Sequence, residues 1–248
     1  MIQKILFIFL LQVSLFGETI NLALSANVSY AMDTIKKEFK KLHPNVKIRV
    51  IVGSSGKLTA QIENGAPYDI FMSANMKYPQ ALYESGKAIA KPFVYAQGSL
   101  AYLSVKKRDF SQGISLLQSD AIRKIAVANP RTAPYGKASF EALSNANILE
   151  KIQSKIVYGE SAAQTLSYTM KVVDIGFIAK SSLYSPKLKR FKKGKNWAEV
   201  DSSLYTPIEQ GVVILQRGSE KKSVENFYDF ILSEKAKKIF QDFGYKTL

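Results

Sequence analysis

Val46-Lys47-Ile48-Arg49-Val50-Ile51-Val52 runs into Gly53-Ser54-Ser55-Gly56-Lys57, and an amphipathic segment through Leu58 and Ile62 follows. A strand that ends in a Gly/Ser turn at a helix start makes an anion site. The N–H groups of the first helical turn have no partners within the helix, the dipole adds partial positive charge, and serine hydroxyls add donors. The pattern occurs earlier too. Ile20-Asn21-Leu22-Ala23-Leu24 reads as a strand, Ser25-Ala26-Asn27-Val28-Ser29 as its turn, and Val28, Met32, Ile35, Phe39 and Leu42 as the apolar face of a helix. Two helix N-termini are therefore expected to face one small anion.

Outward from these turns, strand-like runs alternate with helical periodicity, which predicts an α/β fold with largely parallel sheets. Asp69–Ser73 is a third strand, with short helices over 57–64 and 78–85. Ser99–Val105 is the next strand. A second α/β set then reads as strands at 125–128, 156–158 and 175–179, with helices near 137–145 and 162–172. Gly211–Gln216 returns as a strand, and 223–243 reads as one long amphipathic helix carrying Val224, Phe227, Ile231, Ile239 and Phe240. Two lobes fit this order better than one, with crossings near 97–105 and 205–216. The expected division is 18–97 plus 208–248 for the first lobe and 98–207 for the second.

At 248 residues and 46% hydrophobic content the chain can bury two cores. Residues 1–17 read as a secretory signal peptide: Lys4 precedes the apolar run Ile5–Leu11, and Ser14-Leu15-Phe16-Gly17 offers a cleavage region. The run is shorter than the roughly 20 apolar residues that span a bilayer. There is no cysteine, which excludes disulfides, thiolate metal sites and cysteine nucleophiles. Export without disulfides suits a periplasm-like space. The net charge of +15 raises the question of nucleic acid, but the excess sits mainly in 98–207, much of it in the run Lys187 to Lys195. A charge run of this kind is usually solvated surface. A positive field also speeds the encounter with an anionic solute.

Three motifs, Leu24–Met32, Gly53–Leu58 and Gln61–Ala74, closely resemble the periplasmic molybdate-binding proteins of ABC transporters, as do Asn129–Gly136, Tyr158–Ala162 and Asp174–Ile178. The six motifs lie in the family's order, and the resemblance covers essentially the whole mature chain. It implies a two-lobe periplasmic binding protein (venus flytrap) that closes over one tetrahedral oxyanion, molybdate or tungstate, and delivers it to ABC permease subunits in the membrane. It further implies a monomer located in the periplasm, with no cofactor, no catalytic residue and no metal held by direct coordination. The carried-over ligand residues are Asn27, through its side-chain amide, and Ser55 from the first lobe. The second lobe contributes Tyr135, chiefly through its main-chain N–H, and Ala162 through its main-chain N–H. Many relatives add a tyrosine hydroxyl where this chain has Ala179, so Tyr135 or Asn27 is expected to compensate.

Each residue has a plainer reading as well. Ser25 and Asn27 are common helix caps, Ser54 and Ser55 can simply close a turn, and Tyr135 can fill a loop. Arg131 stands near the proposed loop, although a loop arginine is usually solvated. Gly53–Lys57 is too short for a nucleotide-binding loop, and Leu58 occupies the place of its magnesium-binding hydroxyl. His43, the single histidine, anchors no nucleophilic triad. The alternative function is an enzyme acting on a small phosphorylated or sulfated metabolite, which would require an acid, base or metal in the cleft. A third is an adhesion module using the 187–195 run.

Overall fold

The structure is a computed structural model and describes residues 18–247. The expected signal peptide lies outside the described residues. Two five-stranded sheets form the two lobes, and each is mixed rather than largely parallel. The first has the order β2-β1-β3-β10-β4, and the second has β7-β6-β8-β5-β9.

In the first lobe, β1 (Thr19–Ser25) lies parallel to β2 (Lys47–Gly53) and β3 (Ile70–Ser73). β10 (Ile208–Ile214) then pairs antiparallel with β3 and with β4 (Phe93–Gly98). The alternation of β1 explains the layering. Ile20, Leu22 and Leu24 face one core with Ile35 and Phe39 of α1 (Ser29–Leu42), Phe227 of α7 (Lys222–Leu232) and Phe240 of α8 (Glu234–Asp242). Ala23 faces the other side, where Leu58 and Ile62 of α2 (Ser55–Glu63) and Leu82 of α3 (Lys77–Glu84) pack.

The second lobe repeats the plan. β6 (Ile125–Ala128) is parallel to β7 (Ile156–Gly159) and β8 (Ile175–Ala179), while β5 (Leu100–Leu103) runs antiparallel to β8 and β9 (Trp197–Glu199). Leu100 and Tyr102 face a core with Ala142 and Leu143 of α4 (Pro134–Asn145) and Ile152 of α5 (Leu149–Ile152). Ala101 and Leu103 face Leu166 and Met170 of α6 (Ala162–Lys171) and Trp197, whose ring Lys193 covers at 5.6 Å.

The sequence reading departs from the structure in instructive places. The predicted strand over 99–105 is the second half of a crossing: β4 ends at Gly98 in one sheet and β5 begins at Leu100 in the other. The long C-terminal helix is two helices. Ser233 is extended (φ −71°, ψ 157°) and its hydroxyl accepts from the Ala236 N–H at 3.3 Å, so it caps α8 and ends α7. His43 is the C-cap of α1, with its ring 4.6 Å from that of Phe39. Among the described residues no helix is long and apolar enough to cross a membrane.

Candidate functional site

Ligands of open α/β sheets collect beyond the carboxyl ends of parallel strands. Here those ends face each other across the lobes. β1 and β2 finish in register, Ser25 opposite Gly53, and lead into the turn 26–28 and into α2. Across the gap, β6 leads through 129–133 into α4, and β7 leads through Glu160 and Ser161 into α6. The cleft between these four starts is tightly closed, with a cavity of only about 10 Å³. Asn27, Ser54 and Ser55 line it from the first lobe, and Ala133, Tyr135 and Ala162 from the second. The four residues named from the sequence thus border one cavity. No charged side chain lines it, and among the described residues no cluster of His, Asp and Glu could hold a metal ion.

The local bonding shows which donors are open. Pro134 has no N–H, and the N–H groups of Gly136 and Lys137 both donate to Ala133 O, at 2.9 and 3.1 Å. The Tyr135 N–H is therefore the open donor of that turn. In α2, Gly56 N–H donates to Thr132 O of the opposite lobe at 2.9 Å and Leu58 N–H to Ser54 O at 3.0 Å, which leaves the Ser55 and Lys57 N–H groups of the first turn open, and of these two residues Ser55 lines the cleft. A methyl group on Gly56 would stand 3.0 Å from the Thr132 Cα and 2.7 Å from the Tyr78 hydroxyl, so the lobes meet here only because residue 56 has no side chain. Tyr78 adds a second crossing bond, its hydroxyl donating to Arg131 O at 3.2 Å. By position, Ala162 at the first turn of α6 and Asn27 in the turn after β1 also present N–H groups without helical acceptors.

Ser25 was legible only as a cap, and it makes no side-chain capping bond. Its Oγ lies 2.5 Å from that of Ser55, and the Ala74 N–H donates to both, at 3.1 and 3.0 Å. One hydroxyl proton is used between the two serines, and the other is free. If Ser25 donates to Ser55, the Ser55 proton points to the cleft. Both side chains are almost fully buried.

One expectation is corrected. The Asn27 amide nitrogen does not stand open: it donates to Gln210 Oε1 at 2.6 Å and to the Tyr245 hydroxyl at 3.0 Å. The Tyr135 hydroxyl is buried beside the crossing segment without a hydrogen-bond partner among the described residues, and a methyl group on Gly98 would sit 2.1 Å from it. The Asn27 amide therefore does not supply the donor that Ala179, buried in the second lobe's core, lacks. Arg131 is exposed and lines a neighbouring cavity with Lys77 and Lys137, not the cleft itself.

The cleft's electrostatics follow from its neutrality. Burial pushes the Tyr135 phenol well above its ordinary value, with the neighbouring Tyr245 adding to the shift, and Tyr245 is pushed up by burial as well. Nothing lining the cleft changes charge near neutrality. Anion affinity is therefore expected to vary by less than about threefold between about pH 6.5 and 9 at constant ionic strength; titration calorimetry across that range checks it, and a steep dependence would require a titrating group in the site.

The sequence pattern of the bacterial extracellular solute-binding protein family matches residues 20–246. The chain belongs to that family. This solute-binding protein is 32% identical to the molybdate-binding protein ModA of Azotobacter vinelandii over 91% of its own length and 89% of the relative's. Its identity to the Rhodobacter capsulatus molybdate-binding protein is 31%, over 79% and 75% of the two chains. The solved periplasmic molybdate-binding protein of Azotobacter vinelandii superposes with a TM-score of 0.86 at 30% identity, over 92% of this chain and 99% of that one. A sulfate-binding protein of Mycobacterium tuberculosis shares the fold alone, at 13% identity and a TM-score of 0.74. Family membership makes the protein a solute receptor of a transport system and not an enzyme.

Proposed function

We propose that this solute-binding protein captures molybdate, or the nearly isosteric tungstate, between its lobes and hands it to an ABC permease in the membrane. The observation that carries the reading is the uncharged cleft, free of acidic side chains, where four helix or turn N-termini converge. In this reading the anion accepts from the main-chain N–H groups of Asn27, Ser55, Tyr135 and Ala162 and from the free hydroxyl of the Ser25–Ser55 pair. A dianion with four acceptor oxygens and no proton suits such a set. Phosphate, partly protonated near neutrality, calls for a strong acceptor such as a carboxylate, and among the described residues no acidic one lines the cleft. Sulfate has molybdate's charge, so discrimination against it falls to cavity size and donor spacing.

Charge-assisted bonds of about 1.5–3 kcal/mol each, less the cost of ordering and closure, are enough for submicromolar affinity. Residues 18–97 with 208–248 would move as one lobe against 98–207, in a monomer exported to the periplasm by the leader at 1–17. The structural likeness of the molybdate-binding relatives supports the ligand class, and their sequence likeness supports the transport partner.

Calorimetric titration of refolded, anion-free mature protein with molybdate, tungstate, sulfate and phosphate tests the reading. Tight one-to-one binding of the first two with negligible binding of the others is expected. Absence of any oxyanion binding by folded protein would overturn it. Ser55→Ala is expected to weaken molybdate about tenfold, the loss of roughly 1.4 kcal/mol of donor interaction; unchanged affinity would take the hydroxyl out of the site.

A further inference from the structure

Gln210 is fully buried in β10, on the strand that returns from the second lobe. The pairing of β10 with β4 shifts register between Gln210 and Gly211. Such a bulge re-aims a side chain, and here Gln210 reaches Asn27 and Ala74, two residues that line the cleft. Its Nε2 donates to Ile208 O at 2.7 Å and to Ala74 O at 3.4 Å. Both partners are carbonyls, which only accept, so the amide has one admissible orientation and Oε1 must be the end that meets Asn27.

That orientation dictates the next. Asn27 has to present its nitrogen to Gln210, and its second amide hydrogen goes to Tyr245. The Asn27 main-chain carbonyl is held as well, accepting from the Tyr245 hydroxyl at 2.9 Å and from Ser181 Oγ of the second lobe at 2.9 Å. With its side-chain nitrogen and its carbonyl both pinned, Asn27 keeps the main-chain N–H for the cleft. Gln210 also touches the other arm of the site, because the residue whose carbonyl it binds, Ala74, donates its N–H to the Ser25–Ser55 pair.

Resting on the oxyanion reading above, we infer that Gln210 is a positioning residue of the anion site. It acts through Asn27, fixing the amide so that the turn 26–28 offers its N–H groups to the ligand, and it ties this arrangement to the crossing strand. No contact of Gln210 with the anion is required.

The test is a double-mutant cycle on molybdate affinity with Gln210→Leu, Asn27→Ala and the pair, each confirmed folded by circular dichroism. Each single change is expected to weaken binding by about tenfold, and the pair by clearly less than the product of the two losses, since one residue works through the other. Losses that multiply, or a Gln210→Leu protein with wild-type affinity, overturn the inference.

Gln210→Glu gives a second readout that a purely structural role would not move. The ionised carboxylate still accepts from Asn27 but repels the Ile208 and Ala74 carbonyls and the anion, whereas the protonated acid restores a donor. The titratable groups around it are the Tyr135 and Tyr245 phenols, both held neutral by burial. Affinity of this variant is expected to recover at least about fivefold from about pH 8 to about pH 6 while the wild type stays flat; a flat profile in both overturns the inference. Failure of the wild type to bind any oxyanion overturns the functional reading along with it, and wild-type binding with a multiplicative cycle overturns the positioning role alone.

Discussion

Ser55→Asp is expected to weaken molybdate binding at least about a thousandfold while leaving the protein folded. The carboxylate would stand at the first position of α2, beside the proposed anion. A single charge roughly 4–5 Å from a dianion, at an effective dielectric constant of about 20, meets repulsion of about 7 kcal/mol, and rather more than half of that is enough for the stated loss. The fold has reason to tolerate the change. The carboxylate can accept from the same Ala74 N–H and from Ser25 Oγ, and a negative charge in the first turn stabilises a helix by about 0.3–1 kcal/mol. Calorimetry for binding and thermal denaturation for stability, on one preparation, separate the two effects. Wild-type affinity in this variant would place the anion elsewhere.

Gly98→Val is expected to weaken molybdate by more than about a hundredfold through geometry instead of charge. Gly98 is the last residue of β4 before the chain crosses to the second lobe. A Cβ there would lie 2.1 Å from the Tyr135 hydroxyl oxygen, 3.1 Å from its Cζ and 3.2 Å from Gln210 Nε2. Tyr135 opens α4, so pushing its ring away withdraws the N–H that the second lobe contributes. A donor set that has lost one arm forfeits both that bond and the closure that depends on it. Small-angle scattering with and without molybdate gives the matching structural readout: the wild type should contract on binding, and the variant should stay extended. Undiminished affinity in Gly98→Val would show that the Tyr135 ring can move without cost. In the proposed arrangement the anion accepts from the Tyr135 main-chain N–H, so Tyr135→Phe should keep affinity within about threefold; a larger loss would bring the hydroxyl into the site.

Much of the architecture was legible in the chain because it rests on local chemistry. The alternation Ile20, Leu22 and Leu24 specifies a strand with one face on the α1 core, and the spacing of Met32, Ile35 and Phe39 specifies the helix that covers it. The Gly/Ser turns at 25–29 and 53–57 mark helix starts, and helix starts are where open N–H groups must be. From these local rules came two lobes and an anion site at the turns 25–29 and 53–57, whereas Asn27, Ser55, Tyr135 and Ala162 were named by resemblance to the molybdate-binding family.

Which atoms those residues turn toward the cleft depended on partners far away in the sequence. Asn27 and Gln210 are 183 positions apart, and Asn27 and Tyr245 are 218 apart. No periodicity or spacing foretells that Gln210 at a bulge in β10 takes one of the asparagine's amide hydrogens and Tyr245 the other, or that Ser25 leaves its capping role to pair with Ser55. Neither could the mixed order of the sheets be read from strand signals, since parallel and antiparallel neighbours demand the same apolar pattern on a doubly covered sheet. Propensity and periodicity act within a few residues, whereas hydrogen-bond direction is settled by whatever donor or acceptor folding brings within about 3 Å. The helix starts that border the site were therefore local information, and the direction of its hydrogen bonds belongs to the assembled fold.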